Sequence, residues 1–205
     1  MKNSMYRLAA AVFPCLLLAS GGCKRTAAVG AVAERQVSLP LSAFMPLSLG
    51  NSWTYATSFQ GQPQPDLTVR IVRREGAAYV DDSPTSSRWI IDAEGIRDGS
   101  RRYVLKKPLA KGTEWMSVAD VRTVEHYRIV DTNRRVTVPA GTFDSCILVR
   151  MTVRIDDKRS MENDMVFAPH VGIVRISTRL VDGGRILPQS DMRLKKYELV
   201  KKGGA

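Results

Sequence analysis

Alternation limits what this 205-residue chain can fold into more than any other feature. From Phe44 onward apolar residues recur at every second position, the period of a strand with one face buried. Leu67, Val69 and Ile71 alternate with Thr68 and Arg70. The longest run places Ile147, Val149, Met151, Val153 and Ile155 on one face and Leu148, Arg150, Thr152 and Arg154 on the other. Val174, Ile176, Thr178 and Leu180 repeat the pattern opposite Arg175 and Arg179. No stretch after Phe44 has the spacing of an amphipathic helix longer than two turns. Turn residues at Asp98-Gly99, Asp131-Thr132-Asn133, Pro139-Ala140-Gly141 and Asp182-Gly183-Gly184 divide the region into short strands. Strands joined by short turns pair antiparallel. The expected fold is therefore mainly β: one domain formed by a curved antiparallel meander sheet, open or nearly closed as a half-barrel, with little helix outside the N-terminal segment.

That segment has a different pattern. Lys2 and Arg7 give it a positive start, and Leu8 to Ala19 then run without charge. A membrane-spanning helix needs about 20 apolar residues, so this run has the proportions of an export signal. Ala19-Ser20-Gly21-Gly22 precede Cys23, and here the chain resembles a bacterial lipoprotein signal with its lipobox. Ser20 and Gly21 stand where that family usually has Leu and then Ala or Ser. The resemblance implies cleavage before Cys23 and lipid on its thiol; cleavage without lipid is the alternative. Two or more acyl chains anchor stably where one binds marginally. Lys24 stands where an Asp is associated with inner-membrane retention, so the resemblance points to the outer membrane of the cell envelope. The expected organisation is a signal peptide over 1–22, the lipidated cysteine and a flexible tether over 23–43, the β domain over 44–200 and a disordered tail over 201–205. A tether of about 20 residues spans roughly 25 Å.

Charge and cysteine usage agree with export without proving it. The formal charge is +11, and removal of Lys2 and Arg7 leaves +9, a balance that favours anionic lipid or glycan surfaces. No nucleic-acid motif accompanies it, and no nucleic-acid partner is expected. Cys15 lies in the export segment and Cys23 is the lipid site, which leaves Cys146 with no internal disulfide partner. Cys146 opens a strand, where a free thiol behaves as a small hydrophobe.

A short internal echo links two parts of the chain. Pro46-Leu47-Ser48-Leu49-Gly50-Asn51-Ser52-Trp53 and Pro108-Leu109-Ala110-Lys111-Gly112-Thr113-Glu114-Trp115 share the pattern P-L-x-x-G-x-x-W. Proline presets a turn, glycine permits positive φ, and each tryptophan then begins a strand. Two equivalent turns leading into two strands are one reading; a ligand-stacking pair, Trp53 and Trp115, is the other. Phe44-Met45-Pro46-Leu47 with Gly50-Asn51-Ser52-Trp53-Thr54-Tyr55, Val138-Pro139-Ala140-Gly141-Thr142-Phe143 with Cys146, and Phe167-Ala168-Pro169 with Val171-Gly172-Ile173-Val174 resemble a group of uncharacterised bacterial lipoproteins. That resemblance implies a curved antiparallel sheet and no established activity. His170 departs from it, standing where Gly or another small residue is expected.

The chain is poor in catalytic signatures. His126 and His170 are its two histidines and have no metal-ligand spacing. No G-x-S-x-G elbow marks a nucleophile. Asp81-Asp82, Asp156-Asp157 and Glu162 with Asp164 read as acidic turn sites. No catalytic residue, metal site or cofactor is expected. If the strands around 147–155 and 171–180 share a sheet, Arg150, Arg154, Arg175 and Arg179 lie on one polar face. They then form either an anion-binding surface or a solvated face covered by arginine stems. The functional expectation is a non-catalytic, lipid-anchored binding or assembly component of the envelope. The alternative is a carrier holding an acyl or other hydrophobic ligand in the concave side of the sheet.

Overall fold

The computed structural model describes residues 37–120 and 123–200. One four-residue helix, α1 (Leu41–Phe44), precedes twelve strands: β1 (Ser52–Phe59), β2 (Gln62–Glu75), β3 (Ala78–Asp81), β4 (Arg88–Ile91), β5 (Gly95–Asp98), β6 (Tyr103–Lys106), β7 (Glu114–Asp120), β8 (Thr123–Val138), β9 (Gly141–Arg154), β10 (Arg159–Ala168), β11 (Gly172–Asp182) and β12 (Arg185–Glu198). They form a single antiparallel sheet in the order β6-β5-β4-β3-β2-β1-β12-β11-β10-β9-β8-β7. This is the meander expected from the alternation, nearly closed into a barrel. Two consecutive six-stranded meanders are joined where β1 pairs with β12, and β6 and β7 are the sheet edges. Side chains span the seam between those edges. Trp115 Nε1 donates to the Tyr103 carbonyl at 2.8 Å, and Arg102 Nη1 donates to Glu125 Oε1 at 2.8 Å.

The echo consists of two equivalent turns, one opening each meander. Gly50 has φ +85° and Gly112 φ +88°, values that glycine adopts without strain. Gly50 N donates to the Ile71 carbonyl at 2.9 Å, and Gly112 N to the Ile129 carbonyl at 2.8 Å. The return bonds, Ile71 N to Asn51 O and Ile129 N to Thr113 O, are both 2.9 Å. A side chain closes each turn onto its proline carbonyl: Asn51 Nδ2 to Pro46 at 2.6 Å and Thr113 Oγ1 to Pro108 at 2.8 Å. The tryptophans then face equivalent partners, Trp53 opposite Val69 and Trp115 opposite Tyr127. The correspondence continues into β2 and β8, where Val69-Arg70-Ile71-Val72 matches Tyr127-Arg128-Ile129-Val130.

Two apolar cores hold the sheet together. The first gathers Phe44, Leu105, Trp115, Tyr127, Ile147, Val149, Met165 and Phe167; the second gathers Trp53, Tyr55, Ile71, Cys146, Leu148, Val166, Val174 and Leu194. Alternate residues of β9 and β10 divide between them, so both faces of these central strands are buried there. This corrects the placement of Leu148 on the same polar face as Arg150 and Arg154. The covering element is the far end of the β8–β9 hairpin: Val136 and Val138 join the second core, and Ala140 N donates to the Leu194 carbonyl at 2.9 Å. The face becomes polar only beyond Leu148, where Arg150 begins the charged stretch.

The domain boundary is also corrected. The tether was expected to run to residue 43, but residues 37–43 belong to the fold. Val37 N donates to the Leu109 carbonyl at 3.0 Å, and Leu41, Ala43 and Phe44 are buried. Burial of Leu41 and Phe44 contributes roughly 1.5–3 kcal/mol each, enough to hold α1 in place. The signal peptide, Cys23, the rest of the proposed tether and the tail over 201–205 lie outside the described residues. His170 adopts φ +62°, which accounts for a small residue being expected at that turn; its N–H donates to the Ala43 carbonyl at 2.6 Å.

Candidate functional site

Where the two cores meet they leave a cavity of about 290 Å³. Met45, Met165 and Ile173 line it from the first core, and Trp53, Tyr55 and Ile71 from the second. Leu67 and Val69 of β2, Ile176 of β11 and Met192 of β12 complete the apolar wall. Met165, Ile176 and Met192 are register partners across three adjacent strands, so they share one face of the sheet. Trp53 and Tyr55 are fixed in place: Trp53 Nε1 donates to the Val171 carbonyl at 2.7 Å and Tyr55 OH to the Ile173 carbonyl at 2.9 Å. Both polar atoms are satisfied by backbone, so the rings present apolar surface to the cavity. Burial, with the Asp81 charge adding to it, pushes the Tyr55 hydroxyl well above the ordinary tyrosine range and keeps it neutral.

The loop between β3 and β4 supplies the polar side of the cavity. Asp81 is 2% exposed, and four donors satisfy its carboxylate. Oδ1 accepts from Ser83 N at 3.1 Å, Ser83 Oγ at 2.6 Å and Ser87 N at 2.9 Å; Oδ2 accepts from Trp89 Nε1 at 2.8 Å. One carboxylate thus folds the loop and holds the Trp89 indole on the cavity wall. A buried carboxylate left without such donors is strongly destabilising, which ties the loop conformation to Asp81. Asp81-Asp82 read as an acidic turn from sequence; the turn is present, and the burial of its first carboxylate was not legible. Trp89, Tyr55, Ser83, Thr85 and Ser87 were not anticipated as site residues. For Trp89 and the loop hydroxyls the available signal was an aromatic placed just after a serine-rich loop.

Trp53 and Trp115 are not brought together as a stacking pair. Trp53 lies on the cavity wall. Trp115 is committed to Tyr127, with ring centroids 5.3 Å apart and planes 8° from parallel. The Tyr127 hydroxyl donates to Glu125 Oε2 at 2.8 Å, and burial together with that carboxylate raises its pKa well above the ordinary value. Glu125, 4% exposed, receives its other donor from Arg102.

The four arginines share a face as expected, and carboxylates engage each of them. Arg150 grips Asp164 with Nε at 2.7 Å and Nη2 at 3.0 Å. Arg179 bridges Asp164 at 2.9 Å and Glu162 at 2.9 Å. Arg175 pairs with Asp191 at 2.8 Å, and Arg154 with Asp157. Burial alone raises the Asp164 carboxyl, but its bonds from Arg150 and Arg179 outweigh that and hold it below the usual carboxylate range. Arg150 and Arg175 are held in bidentate pairs and Arg179 by two carboxylates, so these three guanidiniums are already engaged, whereas the Arg154 pair is exposed. Cys146 is fully buried in the second core, where desolvation raises its thiol to about 11. Both histidines are exposed, and among the described residues no cluster of His, Cys, Asp or Glu is placed to hold a metal ion.

A larger groove of about 650 Å³ runs along β7 to β9, where Trp115 and Tyr127 share the lining with the charged Lys111, Glu114, Arg128 and Arg150. The smaller cavity has the features of a ligand site: a mostly apolar wall, a few convergent polar groups and side chains held in place by their own bonds. No protein-family model matches the chain, and comparison with curated proteins gives no match. A solved structure of a "putative lipoprotein" from Parabacteroides distasonis is similar to this chain with a TM-score of 0.42 and 16% identity, covering 76% of this chain and 98% of that one.

Proposed function

We propose that this chain is a non-catalytic binding protein of the bacterial cell envelope, anchored by lipid on Cys23, which holds a hydrophobic ligand in the cavity between its two cores. The observation that carries the ligand reading is that cavity of about 290 Å³ walled by Trp53, Tyr55, Val69, Ile173 and Ile176. Its volume is near the lower end of small-molecule sites, which run from roughly 300 to 1,000 Å³. An engineered apolar cavity of about 150 Å³ takes up benzene, so by proportion this one suits an apolar group of about twelve non-hydrogen atoms. That is one aliphatic chain, not a two-chain lipid.

The anchor reading is supported by the short apolar run before Ala19-Ser20-Gly21-Gly22-Cys23, and the outer membrane by Lys24. Native mass spectrometry of the full protein extracted from membranes tests both parts together. The expected spectrum carries the added mass of a lipidated Cys23 and a released non-covalent mass of single-chain size. A protein extracted at its unlipidated mass contradicts the anchor, as does a Cys23→Ser variant that stays with the membrane. Extraction with no ligand, followed by failure to take up an added aliphatic probe, contradicts the binding role.

A further inference from the structure

We infer that the cavity selects a single-chain amphiphile whose polar end donates a hydrogen bond, an alcohol or an ammonium, over one of the same size whose polar end only accepts. The inference rests on the binding role proposed above and deepens it by assigning the chemistry of the ligand's head.

The argument starts at Asp81. A carboxylate only accepts, so the 2.6 Å bond to Ser83 Oγ uses the single Ser83 hydroxyl proton. Ser83 Oγ also lies 3.2 Å from Thr85 Oγ1, and Thr85 Oγ1 lies 3.0 Å from Ser87 Oγ. With the Ser83 proton committed, Thr85 is the donor to Ser83. With the Thr85 proton committed, Ser87 is the donor to Thr85. All three bonds form together only in this order, so the Asp81 charge sets the direction of the whole hydroxyl chain. Ser87 Oγ ends it with lone pairs and no proton to give.

Ser83, Thr85 and Ser87 line the cavity opposite its apolar wall. The wall's side-chain N–H and phenol donors are already used. Trp89 Nε1 is bonded to Asp81, Trp53 Nε1 to Val171 and Tyr55 OH to Ile173. The polar end that a ligand meets is therefore an acceptor with a buried negative charge behind it. A hydroxyl or ammonium completes the chain by donating to Ser87. An ether or a carboxylate brings lone pairs to lone pairs, and the carboxylate adds like charge.

The test compares 1-decanol with nonyl methyl ether, probes of equal heavy-atom count that differ in the hydroxyl proton, by calorimetric titration of the full chain. A neutral hydrogen bond is worth about a factor of five to ten in affinity, so decanol is expected to bind tighter by that ratio. Ser87→Ala combined with Thr85→Val, which removes both outer acceptors, should bring decanol down to the ether's affinity and leave the ether unchanged. Retained ether binding also reports that the cavity of the variant is intact. Equal binding of the two probes by the unmodified chain overturns the inference, and so does a decanol preference that survives the paired Thr85→Val and Ser87→Ala change. Binding of neither probe overturns the ligand role itself, and the head-group assignment with it.

Discussion

The two copies of the P-L-x-x-G-x-x-W turn deliver their tryptophans into the same kind of position with opposite results. At Trp115 the cross-strand partner is Tyr127, whose ring stacks on the indole, and both rings border the larger, charge-lined groove. At Trp53 the equivalent partner is Val69, and the cavity opens beside it. One position further along the same face, β8 carries buried Glu125 where β2 carries Leu67. Glu125 draws Arg102 and the Tyr127 hydroxyl into a bonded group that helps close the sheet between β6 and β7. Leu67 lines the cavity instead. The same backbone device thus serves closure across the seam in one meander and a mostly apolar cavity in the other, and the two differ at these side chains.

Breaking the closed half should have the largest effect. Tyr127→Val removes the stack on Trp115 and one of the donors to Glu125, a large-to-small change plus a weakened buried carboxylate. The expected loss of stability is about 3–5 kcal/mol, read as a lowered denaturant midpoint. A loss below about 1 kcal/mol means that the second meander is not held by this pair. A smaller effect sharpens the equivalence of the two turns. Gly50→Ala and Gly112→Ala each place a side chain at positive φ and should each cost about 1–2 kcal/mol. A Cβ at Gly50 also meets Val200 at 3.2 Å, whereas one at Gly112 meets nothing within 4 Å, so the Gly50 variant should be the less stable of the pair. The reverse order contradicts the view that the turns differ only in their surroundings.

Much of this architecture was legible in the chain, because alternation and turn residues are local signals. The paired turns could be read from proline, glycine and tryptophan spacing; Cys146 was expected to open a strand but lies within β9. Leu148 was misplaced because alternation reports one buried face, and the hairpin end that covers the other arrives through long-range folding. The uninterrupted apolar run Cys146-Ile147-Leu148-Val149 was the available sign of a strand buried on both faces. The arginine face was read correctly as a shared face. The carboxylates paired with it were not legible, since Asp164, Glu162 and Asp191 reach those guanidiniums from neighbouring strands. The cavity was the least legible feature. It depends on which of two equivalent positions carries Val and which Tyr, and on a loop folded around a buried aspartate.

The central claim is that the space beside Trp53 is a ligand site created by Val69 standing where the other meander has Tyr127. Calorimetric titration of 1-decanol into the unmodified chain and into Val69→Tyr tests it directly. The account predicts one molecule bound per chain before the substitution. After it, binding should weaken at least about tenfold while the thermal midpoint stays equal or rises, because the added ring fills empty space. Val69→Tyr that binds decanol as tightly as the unmodified chain contradicts it.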